Sequence, residues 1–259
     1  VTVSNDVAPS AVTNLHILGG STVTGTAGGV TTTGLAITAG GEVNFTDSTT
    51  NVTNLAIDTS TGNVTFTEAD GLSVTTVDSI VGADTDSGSV ALSATAGSLT
   101  VVNTGNADDV AATTTVTLTA GGDDSTLTIS SSADVESTGG AHTYTADKMD
   151  LSGTITATGQ VVTIAPEVTT DTDDALNLGG ADGADTLGLT DAELDSITAA
   201  TLRLGAASAT GGIAVSADVS PASAPIVKLQ GDGGSVTGTS GGITVASLAI
   251  VGGGAVNFT

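Results

Sequence analysis

Apolar and polar residues alternate in short stretches along almost the whole chain. The commonest unit is a triplet in which two apolar side chains flank one polar or small residue, and Gly, Asn, Asp, Ser and Thr separate the triplets. Such alternation turns one set of side chains inward and the other outward, which is the pattern of a β-strand and not of a helix. Clear triplets are Leu35–Ile37, Val43–Phe45, Val64–Phe66, Val90–Leu92, Val116–Leu118, Leu176–Leu178 and Ile243–Val245.

The triplets recur at a second, longer spacing. Leu35-Ala-Ile37 returns as Leu55-Ala-Ile57, and the Val43 triplet returns at Val64. A period of about 20 residues with two or three short strands is the length of one coil of a parallel β-solenoid, whose coils stack at about 4.8 Å. We therefore predict an all-β fold, a right-handed parallel β-helix (β-solenoid) with coils of about 20 residues.

A string of β-sandwich domains is the structural alternative. Sandwich domains run to about 100 residues each, with longer strands, some aromatic core residues and clear linkers. This chain has one Tyr, three Phe, no Trp and no proline-rich linker. The solenoid is therefore favoured. Its 36 Gly would also suit a disordered chain, but alternation that runs nearly end to end argues against disorder.

The chain also contains a long-period repeat. Residues 22–46 and 235–259 are identical at sixteen of twenty-five positions, and residues 1–10 match residues 213–222. We interpret residues 1–212 as one full period of a tandem array, and residues 213–259 as the start of the next period, continuous with the same rod. Long arrays of near-identical modules usually provide an extended length or an extended binding surface, and seldom a single catalytic site.

The formal net charge is −25, from 28 acidic residues against three basic ones, Lys148, Lys228 and Arg203. With so few cations, nucleic acid is excluded as a partner, and an anionic membrane surface is equally unsuitable. No apolar run approaches the roughly 18 residues of a membrane span, so we predict no direct membrane insertion. The charge suits an extracellular protein, because salt and divalent cations outside the cell screen its self-repulsion.

One segment departs from the strand pattern. In residues 187–197, Thr190 is followed three residues later by Glu193, which is the spacing of a helix-capping box. Leu189 and Leu194 give the segment a partial helical face. We predict a single short helical turn or loop that protrudes from one coil and marks the register without forming a site.

Four runs of the sequence are distinctive, namely Tyr144–Ala157, Ala175–Asp182, Leu187–Gly205 and Ile213–Ser220. They resemble the repeats of very large filamentous-haemagglutinin-like exoproteins. The similarity is concentrated in about residues 144–259 and 1–46. The resemblance implies a secreted, right-handed parallel β-helix of a Gram-negative bacterium, placed on the cell surface or outside the cell as an adhesin or filament.

Acidic residues in glycine- and asparagine-rich turns are candidate ligands of Ca²⁺, which prefers oxygen ligands on flexible loops. No cofactor is required by this interpretation, and solvated acids at the corners of coils are the competing one. The segment 179–185 also partly matches the glycine–aspartate repeat of calcium-binding β-rolls, without repeating in tandem. The candidate metal ligands are Asp108, Asp109, Asp123, Asp124, Asp171, Asp173, Asp174, Asp182 and Asp185.

The sequence offers little for catalysis, and we predict that the protein is not an enzyme. It has no Cys, and its only histidines are His16 and His142. His16 corresponds to Lys228 in the second copy, which indicates an outward, solvated position, and His142 with Tyr144 nearby forms no recognisable triad. Binding or cleavage of polysaccharide by clustered carboxylates is the alternative, although aromatic platforms and basic residues are scarce.

Threonine clusters raise a second alternative, ice binding by a flat threonine ladder. The clusters Thr22–Thr26 and Thr31–Thr33 are examples, but threonine does not recur at one fixed position in every coil. We therefore predict a structural or adhesive segment of a giant secreted repeat protein that forms an extracellular or cell-surface fibre. The expected partners are neighbouring copies of the repeat, laterally associated rods, and glycans or the surface of a host or other cell.

Overall fold

The computed structural model describes residues 1–168, 174–206, 211–231, 233–238 and 240–258. These residues are nearly all β, and parallel strands stack as a β-solenoid of about 11 turns with about 22 residues in each turn. The predicted fold class is therefore confirmed. The stacked strands bury apolar side chains between them and leave the intervening polar side chains on the outside.

The strands are mostly short. The first nine are β1 (Asn14–Gly19), β2 (Val23–Gly25), β3 (Thr31–Ala39), β4 (Val43–Phe45), β5 (Asn51–Thr59), β6 (Val64–Glu68), β7 (Leu72–Val74), β8 (Thr76–Val77) and β9 (Ile80–Val81). The next nine are β10 (Ala83–Thr85), β11 (Val90–Ala94), β12 (Leu99–Val101), β13 (Val110–Ala112), β14 (Val116–Ala120), β15 (Thr126–Ile129), β16 (Asp134–Ser137), β17 (His142–Thr145) and β18 (Lys148–Leu151). The remaining elements are β19 (Thr154–Ala165), β20 (Ala175–Leu178), β21 (Thr186–Leu189), α1 (Asp191–Asp195), β22 (Ile197–Leu204), β23 (Ile213–Val215), β24 (Ile226–Gly231), β25 (Val236–Gly238), β26 (Ser247–Gly252) and β27 (Val256–Phe258).

The strands form ladders that run along the rod, one strand per turn. Ladder A contains β7, β12, β15 and β18, and ladder B contains β10, β13, β16 and the first halves of β19 and β22. Ladder C contains β2, β4, β6, β11, β14, β17, the second halves of β19 and β22, β24 and β26. The long strands β1, β3 and β5 lie at the joint of ladders A and B. Above β18, ladder D continues with β21, β20, β23, β25 and β27.

The core is a set of apolar stacks, because in-register pairing places equal positions of successive strands above one another. In ladder C, Phe45 lies under Phe66, with ring centroids 5.9 Å apart. The same stack continues through Leu92, Leu118, Tyr144, Ile164, Leu204 and Leu229. These side chains are at most 1% exposed. A chain with few aromatic residues thus builds its core from thin, closely stacked layers.

The length of a turn varies along the rod. At the start, one turn leads from Leu35 to its partner Leu55, whereas in the middle one turn leads from Val90 to Val116, a longer step along the chain. The predicted coil length of about 20 residues, which is typical of short solenoid repeats, thus describes the first turns well. The middle turns are longer because the loops between ladders carry extra residues, while the paired strands keep their register.

One of these longer turns contains a small hairpin of two antiparallel strands, β8 and β9. Asp78 and Ser79 at its tip have positive φ angles of 48° and 68°. Val77 packs outside the rod against Ala36 and Ala56, which face outward from β3 and β5 and are fully covered. The hairpin thus folds back and covers the outer side of the earlier turns that contain β3 and β5.

A second irregularity lies between β19 and β22, where Ile155 pairs with Ile197 and the chain between them makes a long excursion. The excursion contains β20, β21 and α1. The predicted helical turn is confirmed, since Thr190 is the N-cap of α1 and forms a complete capping box with Glu193. Leu194 is fully buried, so the turn packs onto the rod and does not protrude freely.

Candidate functional site

Six carboxylates form an acidic strip on the outer side of ladder B, in which Ala111 separates Asp84 from Glu136. Asp84 lies directly above Asp58 in register, and Glu136 occupies the same outward row two strands further on. The alternation of the strands explains this placement, because the flanking Ile57, Ala83 and Val135 point into the core. Strip members in neighbouring turns are separated by about one strand spacing, roughly 4.8 Å. The acidic strip consists of Asp58, Asp84, Asp86, Asp108, Asp134 and Glu136.

The crowding of like charges changes the acid–base properties of the strip. Partial burial raises the pKa of the Asp84 carboxyl, and the negative charges of three other strip members raise it further. Partial burial also raises the pKa of Asp108, with additional contributions from Asp134 and Asp109. The strip therefore holds more negative charge than its surroundings compensate, which favours binding of cations.

No basic side chain of the described residues forms an ion pair with the strip. Lys148 pairs with Asp124 at 2.6 Å, and Lys228 and Arg203 lie next to each other in ladder C. Open hollows of about 220 and 240 Å³ flank Asp84 on the strip. The strip is thus a solvent-accessible acidic surface that suits hydrated divalent cations or a basic partner.

The predicted ligand pair Asp108–Asp109 is divided between the surface and the core. Asp108 belongs to the acidic strip, whereas Asp109 is fully buried. The Asp109 carboxylate accepts hydrogen bonds from the backbone amides of Thr104 (2.8 Å) and Asp134 (3.0 Å). Asp109 therefore holds the loop before β13 in place.

In the predicted pair Asp123–Asp124, Asp124 is engaged in other contacts. The Asp124 carboxylate accepts the hydrogen bond from Lys148, and its backbone amide donates to the Asp147 carboxylate at 2.8 Å. Asp124 has a positive φ of 60°. Asp123 is exposed beside it. This corner therefore stabilises a turn.

Asp174 lies in a buried acidic cluster together with Asp147 and Glu167, all 3–4% exposed. Burial raises the pKa of Asp147, a hydrogen bond between its side chain and that of Asp174 lowers it, and the charge of Glu167 raises it. Two carboxyl groups can share a hydrogen bond only if one of them carries a proton. This cluster is internal to the rod.

The Asp182 carboxylate accepts backbone hydrogen bonds at a place where two neighbouring strands are not paired. Strands β18 and β21 are adjacent but form no ladder, and the Asp182 carboxylate accepts from the amides of Met149 (3.2 Å) and Gly188 (2.8 Å). Glu193 accepts from the Leu151 amide at 3.3 Å in the same way. Reduced contact with solvent raises the pKa of the Asp182 carboxyl. A groove of about 550 Å³ lies over this junction.

The remaining predicted calcium ligands do not complete a site. Asp185 is exposed, with a φ of 52°, and Asp171 and Asp173 lie outside the described residues. Within the ranges that the structure describes, no three carboxylate or imidazole groups converge on a point that could hold a metal ion. The Ca²⁺ sites therefore stay a prediction, and the structure groups only Asp108 with other surface acids.

The two histidines have structural contacts. His16 faces outward as predicted, but it is held by Asp78 of the hairpin (Nδ1 to Oδ2, 2.8 Å) and by Thr38 (Nε2 to Oγ1, 3.1 Å). His142 is fully buried between Tyr144 (2.7 Å to the hydroxyl) and Ser137 (2.8 Å). Burial lowers the pKa of His142 to about 4, so the ring is neutral near pH 7.

Threonines recur on the outer side of ladder C, which the sequence did not indicate. Thr65, Thr117, Thr143 and Thr163 occupy one row, with Ala91 between the first two. A second row contains Thr67, Ser93, Thr119 and Thr145. Thr24 of the predicted cluster Thr22–Thr26 belongs to the first row, with Asn44 between it and Thr65. The predicted cluster Thr31–Thr33 lies elsewhere, on β3.

Sequence reasoning missed five of the six members of the acidic strip. A uniform coil of about 20 residues, as the first triplets indicate, places these acids on different faces. The signal that could have found them is a spacing along the sequence that is longer than 20 residues, which separates Asp58 from Asp84 and Asp108 from Asp134. The same step separates the apolar triplets that begin at Val64, Val90 and Val116.

Comparisons with protein-family models, curated proteins and solved structures gave no match to this chain. The resemblance to filamentous-haemagglutinin-like exoproteins therefore stays a prediction. Among the helices of the described residues, none is sufficiently long and apolar to cross a membrane.

Proposed function

We propose that this chain is a rod segment of a tandem-repeat protein that forms an extracellular or cell-surface fibre. The observation that carries the proposal is the unbroken strand pairing across the repeat boundary at residues 212–213. On one side of the rod β22, β24 and β26 pair in sequence, and on another β20, β23, β25 and β27 do so. A second period can therefore continue the same spine without a hinge.

In this proposal the chain has a mechanical role, which is to form a continuous stretch of the fibre. Within each ladder the inner strands pair with the turn before and the turn after them, and Asp182 and Glu193 bridge the unpaired junction of β18 and β21. Open strand edges are therefore concentrated at the two ends of the rod. The charge of −25 keeps neighbouring rods apart at low salt. The resemblance of the sequence to surface adhesins and filaments supports the same function.

The test of this proposal is the shape of longer chains. We expect a chain with three periods to appear in negative-stain images as a thin rod of uniform width, with about 40 Å added by each period. Beads joined by flexible tethers would contradict the proposal.

We further expect the acidic strip to mediate lateral association of rods in divalent cations. Millimolar Ca²⁺ or Mg²⁺ should increase light scattering by the chain several-fold at low salt, and chelator should reverse the increase, because the cation bridges strips on two rods. The variant Asp58→Asn/Asp84→Asn/Asp108→Asn should lose most of this response.

The matched control removes the same charge elsewhere. Glu42→Gln/Asp70→Asn/Asp150→Asn changes three exposed acids outside the strip and outside the candidate calcium ligands, and should respond as the unchanged chain does. If both triple variants lost the response equally, net charge and not the strip would control association.

Ice binding is the second candidate, favoured by the two hydroxyl rows on ladder C. We expect no thermal hysteresis, because Ala91 interrupts one row and Arg203 and Lys228 occupy it above Thr163. Hysteresis in the purified chain would instead support ice binding. Polysaccharide binding is less favoured, since Phe45, Phe66 and Tyr144 are buried and offer no platform for a sugar ring.

A further inference from the structure

The repeated sequence folds into the same local structure twice. Strands β24 to β27 correspond to β1 to β4, and the isolated pairing of Val7 with Val30 corresponds to that of Val219 with Ile243. The close contact between a glycine and a phenylalanine ring is also present in both copies. A Cβ on Gly25 would meet the ring of Phe45 at 2.4 Å, and a Cβ on its counterpart Gly238 would meet the ring of Phe258 at 2.4 Å.

The two copies nevertheless occupy different sides of the rod. Phe45 of β4 lies in ladder C, whereas its counterpart Phe258 of β27 lies in ladder D. Ile37 of β3 leads into ladder B through Ile57, whereas its counterpart Ile250 of β26 lies in ladder C. Each strand of the second copy therefore lies one face further around the rod, in the direction that the chain follows, than its counterpart in the first copy.

The cause is a period that is not a whole number of turns. Along ladder C, β26 lies eight strand pairings above β4. The strand that corresponds to β4 is β27, one face later. One period, from Thr22 to its counterpart Ser235, thus contains eight turns and about one third of another.

The last turn also exposes side chains that the first copy buries. Leu248 is 42% exposed and Phe258 is 40% exposed, whereas their counterparts Leu35 and Phe45 are fully buried. In the first copy the covering turn is β5–β6, which places Leu55 on Leu35 and Phe66 on Phe45. The sequence repeat therefore identifies which partner fits the exposed edge.

We propose that successive periods of the rod are rotated by one face. Strands β26 and β27 then pair with a following turn that has the sequence of residues 47–68, as β3 and β4 pair with β5 and β6. This inference rests on the proposed function. Its consequence is that surface features of each period, including the acidic strip, point in three directions in turn and return to the first after three periods. Divalent cations would then join a rod to neighbours on all sides, giving bundles and not flat layers.

Disulfide trapping tests the rotation in the chain of 259 residues, which contains no native cysteine. In the rotated arrangement Lys228 lies next to Arg203 in register. The spacing of neighbouring turns, about 4.8 Å, falls within the Cα range of disulfides. Mild oxidation of Arg203→Cys/Lys228→Cys should remove both free thiols.

The matched control is Thr198→Cys/Gln230→Cys. Thr198 stands in ladder B in the register column of Leu18, and the counterpart of Leu18 is Gln230, so an unrotated second copy would place these two residues next to each other. We expect both thiols of this variant to remain free. Trapping of the control pair with free thiols in the first pair would overturn the rotation.

Cryo-electron microscopy of a chain with three successive periods tests the same inference over a longer distance. The hairpin β8–β9 and the excursion that contains α1 serve as landmarks. We expect each landmark to move to the next face about every 40 Å along the rod. Rods with all landmarks in one line would overturn the inference but not the proposed function. A failure to form rods would overturn the proposed function, while the thiol result would still decide the rotation within one chain.

Discussion

Replacing Tyr144 by alanine is expected to lower the free energy of unfolding by about 4 kcal/mol, because it opens a cavity in the apolar core. Tyr144 is fully buried in ladder C between Leu118 and Ile164. The substitution also leaves the buried His142 ring without the hydroxyl partner that lies at 2.7 Å. Urea denaturation of the chain and of the Tyr144→Ala variant measures the difference.

Two variants separate the parts of this effect. Tyr144→Phe keeps the ring and removes only the hydroxyl, so it should cost about 1–3 kcal/mol through the unsatisfied His142 nitrogen. Thr143→Ala alters the outward neighbour and should change stability by less than about 0.5 kcal/mol. Because repeat structures unfold in parts, hydrogen exchange of β14, β17 and β19 should report the same order. Equal stability of Tyr144→Ala and Thr143→Ala would show that Tyr144 does not belong to the core.

The sequence predicted the features that depend on neighbouring residues. Apolar alternation, as in Val43–Phe45, predicted the strands, because inward and outward positions are decided within a few residues. The spacing of Thr190 and Glu193 predicted the capped turn, because both hydrogen bonds of a capping box are local.

Features that depend on the register between distant turns were not predicted. The acidic strip exists because loops of different length still bring Asp58, Asp84 and Glu136 to one row. The sequence shows the acids Asp109 and Asp182 but not the distant backbone amides from which their carboxylates accept hydrogen bonds. The shift of the second copy to another face follows from the sum of all turn lengths, which no local pattern contains.

Acidification from pH 7 to pH 4 is expected to remove about 3 kcal/mol of stability through His142 alone. Burial lowers the pKa of this side chain from 6.5 to about 4 in the folded chain. Between these values the unfolded chain binds a proton that the folded chain does not, so stability falls as the pH falls. Below pH 4 both forms are protonated and the loss is complete.

Buried and partly buried carboxyls act in the opposite direction, which is why His142 must be isolated by substitution. Burial raises the pKa of Glu68 and Asp147, so these groups bind protons more tightly in the folded chain and stabilise it on acidification. We therefore compare the chain with His142→Gln, whose amide can still bond to Ser137 and Tyr144. Its free energy of unfolding should fall less between pH 7 and pH 4, by up to about 3 kcal/mol. Parallel curves, or an NMR titration of the His142 ring with a midpoint near the ordinary value of about 6.5, would show that the ring is not buried.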